Sequence, residues 1–113
     1  MHRLSWLLLA ACATSPDARP ETADYIVQAI LVPSCARAGC HSASAQAKGI
    51  AFDNIAHAID SMQPLIVPGD PTQSRLVTIL TDSAKPMPPD SPLPQADIDL
   101  ITRWVADGAE GMP

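Results

Sequence analysis

The chain has 113 residues, with 12 acidic against 7 basic side chains, a formal charge of −5, 12 prolines and 3 cysteines. That length holds one small domain, and the acidity excludes the clustered Lys and Arg excess that a nucleic-acid surface needs. Three cysteines also exclude a multiply disulfide-bonded scaffold.

At the start, His2 and Arg3 precede an apolar run from Leu4 to Leu9 that is too short to span a bilayer, so residues 1–11 read as a signal peptide. Leu9-Ala10-Ala11-Cys12 resembles the bacterial lipobox, in which the cysteine is acylated and the chain is cut just before it. Residues 12–20 then form a lipidated N-terminus and a flexible tether (CATSPDARP), and residues 21–113 form the domain. An ordinary secretory leader with a chance cysteine is the alternative, and either one sends the chain out of the cytoplasm. Loss of Arg3 takes the formal charge from −5 to −6, and loss of Trp6 leaves Tyr25, Phe52 and Trp104 as the aromatic residues. So thin an aromatic complement suggests that a bound group fills the middle of the domain.

The first helix is expected over residues 22–31, where Tyr25, Ile26, Ala29 and Ile30 recur at helical spacing and Pro33 ends the pattern. Residues 34–53 lack a period, carry Cys35, Cys40, Gly39 and Gly49, and read as a loop that wraps something. Asp53 is placed to cap a short helix through Met62, with Ile55, Ile59 and Met62 inward and His57 on the opposite, solvated side. In Val67-Pro68-Gly69-Asp70-Pro71, Asp70 is an N-cap, Pro71 a first helical residue and Gln73 a capping-box partner, which starts a third helix running to Leu80. Five prolines within residues 84–94 forbid helix and sheet interior there, leaving a stiff extended loop with Met87 in its middle. The last helix is expected over residues 94–106, with Leu93 stapled to Ile98, with Ile101, Trp104 and Val105 buried, and with Gly108 as its stop. No convincing strand pair is present, so the fold class is all-α, with about four helices.

The chemistry is concentrated in Cys35-Ala36-Arg37-Ala38-Gly39-Cys40-His41. Two thiols can add to the two vinyl groups of a haem, and a histidine next to the second thioether is then held beneath the iron. Four residues separate the cysteines where two are usual, but small residues can bulge outward, with Gly39 free to take a positive φ. A Cys35–Cys40 disulfide is the plain structural alternative, although it leaves His41 unexplained. A zinc site made from Cys35, Cys40, His41 and His57 is disfavoured by the adjacency of Cys40 and His41 and by an oxidising compartment. Arg37 either contacts a haem propionate or faces water.

Residues 22–110 resemble the class I c-type cytochrome domains, especially the small bacterial ones with a widened Cys-x-x-x-x-Cys-His motif. The likeness rests on the attachment loop, Lys48-Gly49-Ile50-Ala51-Phe52-Asp53, Val67-Pro68-Gly69-Asp70-Pro71 with Ser74 and Leu76, Met87-Pro88-Pro89, and residues 104–109. It implies one covalently attached haem c, held through Cys35 and Cys40, with His41 as the proximal ligand and Met87, before the two prolines, as the distal one. A thioether in a polar, proline-stiffened loop is poorly placed for core packing and well placed as a soft ligand, whereas Met62 reads as core and Met112 as frayed.

The resulting expectation is a monohaem electron carrier rather than an enzyme, working alone or as part of an oxidoreductase. It is monomeric, it exchanges electrons with redox proteins on the periplasmic side of a bacterial envelope, and it is held to a membrane through Cys12. Its expected apolar shell is Ile30, Phe52, Ile55, Leu76, Leu80, Ile101 and Trp104. The alternatives are a haem-free interaction module closed by a Cys35–Cys40 disulfide, and a haem domain with an open sixth position that senses ligands or acts like a peroxidase. Cys12→Ser is expected to move the protein from the membrane to the soluble fraction on cell fractionation. A parent already soluble with an unmodified N-terminus would remove the lipid anchor from the account.

Overall fold

The computed structural model describes residues 17–37, 40–42 and 44–113, so Cys12 and Gly39 lie outside the described residues. Four helices and three short 3-10 turns follow one another, with no strand among the described residues.

Helix α1 covers residues 23–35 as three continuous stretches, α-helical Ala23–Ile26, π-helical Val27–Leu31 and α-helical Val32–Cys35. Thr22 caps it by accepting a hydrogen bond from the Tyr25 N–H at 3.3 Å. Pro33 does not end it, contrary to the sequence expectation. The Val32 N–H reaches back five residues to the Val27 carbonyl, and this wider turn relieves the contact with the carbonyl four residues back that a proline makes in a regular helix. The helix therefore carries Cys35 on its last turn instead of leaving it in a loop.

Helix α2 is Ile55–Met62. Its cap is Asn54 rather than Asp53: the Asn54 side chain accepts from the His57 N–H at 2.9 Å, while the Asp53 carboxylate meets the His57 ring at 3.0 Å. Ala58 and Met62 are buried and Ile59 packs partly against the core, while Ile55, in the first turn, is 38 % exposed. Ile55 is thus not part of an apolar shell. His57 is exposed, on the outer side as expected.

The expected third helix is divided. Asp70 caps a 3-10 turn, Pro71–Gln73, by accepting from the Thr72 and Gln73 N–H groups, and helix α3 begins only at Arg75, running to Leu80. Ser74 breaks the two apart with extended backbone, and its hydroxyl explains why. The side chain is fully buried. It accepts from the Val67 N–H at 2.9 Å and donates to the Asp70 carbonyl at 2.8 Å, tying the Val67–Pro71 turn into a closed loop.

Helix α4 is Gln95–Ala106. Beyond it the Ala109 N–H bonds the Trp104 carbonyl at 2.8 Å and the Gly108 N–H bonds the Val105 carbonyl at 3.1 Å, a Schellman closure with Gly108 at φ 107°. The tail does not fray after this: Met112 packs against the core. The Glu110 carbonyl accepts from both the Ala23 N–H and the Trp104 indole N–H, each at 2.9 Å. Gly111, at φ 91°, lies so close to α1 that an added Cβ would sit 3.0 Å from the Ala23 Cβ.

Side chains fill the middle of the domain. Trp104, Met62, Ile30, Leu31 and Ile101 are among its largest fully buried groups. The segment before α1 is also engaged from Asp17 onward. Arg19 forms a fork with the Asp17 carboxylate and reaches Asp97 and the Ala96 carbonyl on α4, and Arg103 lies 3.4 Å from Asp17 and 3.3 Å from Glu21.

Ser74→Ala leaves the Val67 N–H and the Asp70 carbonyl without their buried partner, so it is expected to cost about 1–3 kcal/mol. Urea unfolding with an unchanged slope and a lower midpoint is the check.

Candidate functional site

Helix α1 presents Cys35 at its end, and the chain from there to Phe52 is held by backbone bonds that involve the site residues themselves. The Cys40 N–H bonds the Arg37 carbonyl at 2.9 Å, and the His41 N–H returns to the Cys35 carbonyl at 3.1 Å, closing the widened loop. The Cys40 carbonyl accepts from Ala47 at 2.9 Å and the His41 carbonyl from Phe52 at 2.7 Å. Two residues here, Gln46 and Lys48, take positive φ, at 44° and 57°.

Across from this loop the proline-rich segment is pinned by the Met87 N–H, which donates to the Ile79 carbonyl at 3.0 Å at the end of α3. Between the two lies a cavity of about 250 Å³ lined by Cys35, Cys40, His41 and Met87, together with Ser34, Arg37, Ala47, Lys48, Pro88, Pro89, Asp90 and Ser91. The four residues singled out in the sequence as ligands or attachment points therefore share one cavity. Met87 is 36 % exposed, unlike the buried Met62. Of the expected apolar shell, Ile30, Phe52, Leu76, Leu80, Ile101 and Trp104 are buried, but none of them lines the cavity.

The donors are available in chemical terms. Cys35 and Cys40 are not joined in a disulfide. Burial pushes the Cys35 thiol up to about 11, with Cys40 beside it adding to the shift and Arg37 opposing it. The His41 Nδ1 lies 3.3 Å from the Ile50 carbonyl. A carbonyl can only accept, so Nδ1 carries the proton and Nε2 keeps its lone pair for a metal. Among the described residues no cluster of three or more His, Cys, Asp or Glu is placed to hold a metal ion, so nothing supports the zinc alternative. Two thiols, one imidazole with a free Nε2 and one thioether on a single cavity fit a covalently bound haem with two axial ligands.

Residues 38–91 match the family described as Planctomycete cytochrome C. The match supports a c-type cytochrome domain. The match begins inside the attachment loop and takes in Cys40, His41 and Met87, while Cys35 lies just ahead of it. Neither a curated protein nor a solved structure matches the chain. A cytochrome c domain of this kind is a haem-binding electron-carrier domain, with haem c as the implied cofactor. The helical architecture agrees with the small all-α cytochrome c-like fold. No helix among the described residues is long and apolar enough to cross a membrane.

The sequence did not reveal Ser34, Ala47 or the Pro88–Ser91 wall, nor the bond from the Ala51 N–H to the Ser61 hydroxyl at 3.0 Å that braces the loop behind His41. Ser34 alone carried a signal, as the neighbour of Cys35. Because no buried core residue lines the cavity, the double variant Cys35→Ala, Cys40→Ala is expected to lose the haem stain that survives denaturing electrophoresis. It should keep most of the parental helical circular dichroism, and collapse of that signal would show that the core depends on the cofactor.

Proposed function

We propose that this domain is a monohaem c-type cytochrome that passes single electrons between partner proteins outside the cytoplasm, held at a membrane through an acylated Cys12. The observation that carries this reading is the convergence of Cys35, Cys40, His41 and Met87 on one cavity. A bound haem supplies a one-electron iron couple.

The chain's own residues do the rest. Cys35 and Cys40 would hold the group covalently, each by addition of its S–H across a vinyl group, so that it would not be lost between encounters. His41 offers Nε2, and the Ile50 carbonyl on Nδ1 raises the basicity of the ring and fixes its tautomer. Met87 offers a soft, neutral sulfur from a backbone already ordered by five prolines and by its bond to Ile79, so little entropy is lost on ligation. A thioether in the sixth position favours the ferrous state over bis-histidine ligation and occupies the place where dioxygen or peroxide would bind. A carrier needs no open position. Arg37 and Lys48, on the cavity wall, are its cationic groups.

Met87→Ala is expected to abolish the weak methionine-to-ferric-iron band, lower the reduction potential and create carbon monoxide binding. Met62→Ala should leave all three unchanged while costing about 2–5 kcal/mol of stability, as a fully buried methionine does. Ready carbon monoxide binding by the unmutated ferrous protein would favour a sensor or peroxidase-like role instead.

A further inference from the structure

His41 is restrained by more than its carbonyl partner. The Phe52 ring stands edge-on to the imidazole, with centroids 5.5 Å apart and planes inclined at 62°, inside the range in which aromatic pairs attract. Phe52 is 4 % exposed and belongs to the core cluster, so its ring has no freedom to follow the imidazole. Its own N–H donates to the His41 carbonyl at 2.7 Å. The residue one step earlier is clamped as well, by the bond from the Ala51 N–H to the Ser61 hydroxyl on α2, and the residue before that supplies the Ile50 carbonyl to Nδ1. Residues 50–52 thus touch His41 in three ways: at Nδ1, at the ring face or edge, and at the main chain.

Two of these contacts act on the ring, and they restrict different motions. The Nδ1 bond fixes which edge of the imidazole faces Ile50 but leaves rotation about the line of that bond soft, since at 3.3 Å it is at the long end of the hydrogen-bond range. The Phe52 contact opposes that rotation. We infer that Phe52 is a positioning residue that sets the plane of the His41 imidazole, and with it the orientation of the proximal ligand. This rests on the reading of His41 as an axial ligand, and it adds the group that decides how the ring is turned. The orientation of an axial imidazole sets the order of the iron d orbitals of the ferric state and so the pattern in which unpaired spin reaches the haem periphery.

The test is the proton spectrum of the ferric holoprotein, where the order and spread of the haem-methyl signals report the imidazole plane. Phe52→Leu, which keeps an apolar side chain but removes the ring edge, is expected to change that order while the methionine-to-iron band and the helical circular dichroism stay parental. Phe52→Tyr, which restores the ring, should return the parental pattern. Ser61→Ala frees the Ala51 N–H without altering the core, and should shift the pattern in the same sense by less. If Phe52→Leu fails to fold, the Ser61→Ala and Phe52→Tyr spectra decide: a parental pattern in the first, or a changed pattern in the second, overturns the assignment. Parental methyl order in a folded Phe52→Leu protein overturns it as well. A haem-containing parent whose spectrum shows no axial histidine would instead refute the ligand reading on which the inference rests.

Discussion

The Glu110 carbonyl is the point on which the geometry of this domain depends. It accepts one hydrogen bond from the first residue of α1 and another from the indole of Trp104 on α4, so the start of one helix and the last turn of another are fixed to the same oxygen. With that end held, and with Gly111 allowing the tail to lie against Ala23, the direction of α1 is determined. Its far end then delivers Cys35 to the cavity wall. The π-helical turn before Pro33 lets a single rigid element run the whole distance, where an interrupted helix would have left the first cysteine on a free loop.

Core and site are separated in this molecule. None of the buried residues of the cluster around Trp104, Met62 and Ile101 lines the cavity, which is walled by the end of α1 and by two loops whose order comes from backbone bonds and prolines. This division gives each part a different sensitivity. Changes in the cluster act on stability through lost packing, and changes at His41, Phe52 or Met87 act on ligation through small displacements of a few atoms. The positive-φ residues Gln46 and Lys48 stand in the same loop as the candidate ligands, where strain is tolerated because neighbouring bonds over-determine the backbone.

Much of this was legible in the sequence, and the exceptions have particular causes. Asp70, Gly108 and the buried face of α4 follow local rules of capping and periodicity, and the structure obeys them. Pro33 and Ser74 depart from those rules. A proline ordinarily ends a helix, and only the π register upstream reverses that; a serine between two helical patterns carries no mark that its hydroxyl will be buried against Val67 and Asp70. Ile55 departs from the helical pattern as well: Met62 is buried and Ile59 packs partly against the core as their spacing predicts, while Ile55, in the first turn of α2, stays exposed. The ligand set itself was readable as residue types, but that Cys35 and Met87 meet across one cavity depends on contacts far apart in sequence, which no local pattern encodes.

The ion pairs that hold Asp17 and Arg19 against α4 also shorten a leash. An extended chain gains at most about 3.6 Å per residue, so under the anchor proposed at Cys12 a domain free from Glu21 onward could stand about 32 Å away, whereas one held at Asp17 would reach only about 18 Å. The residues that bridge the gap are thereby reduced to a handful. A body moored in the proposed way would exchange electrons only with groups that lie close to that surface, so this pair of arginines would set the working height of the cavity.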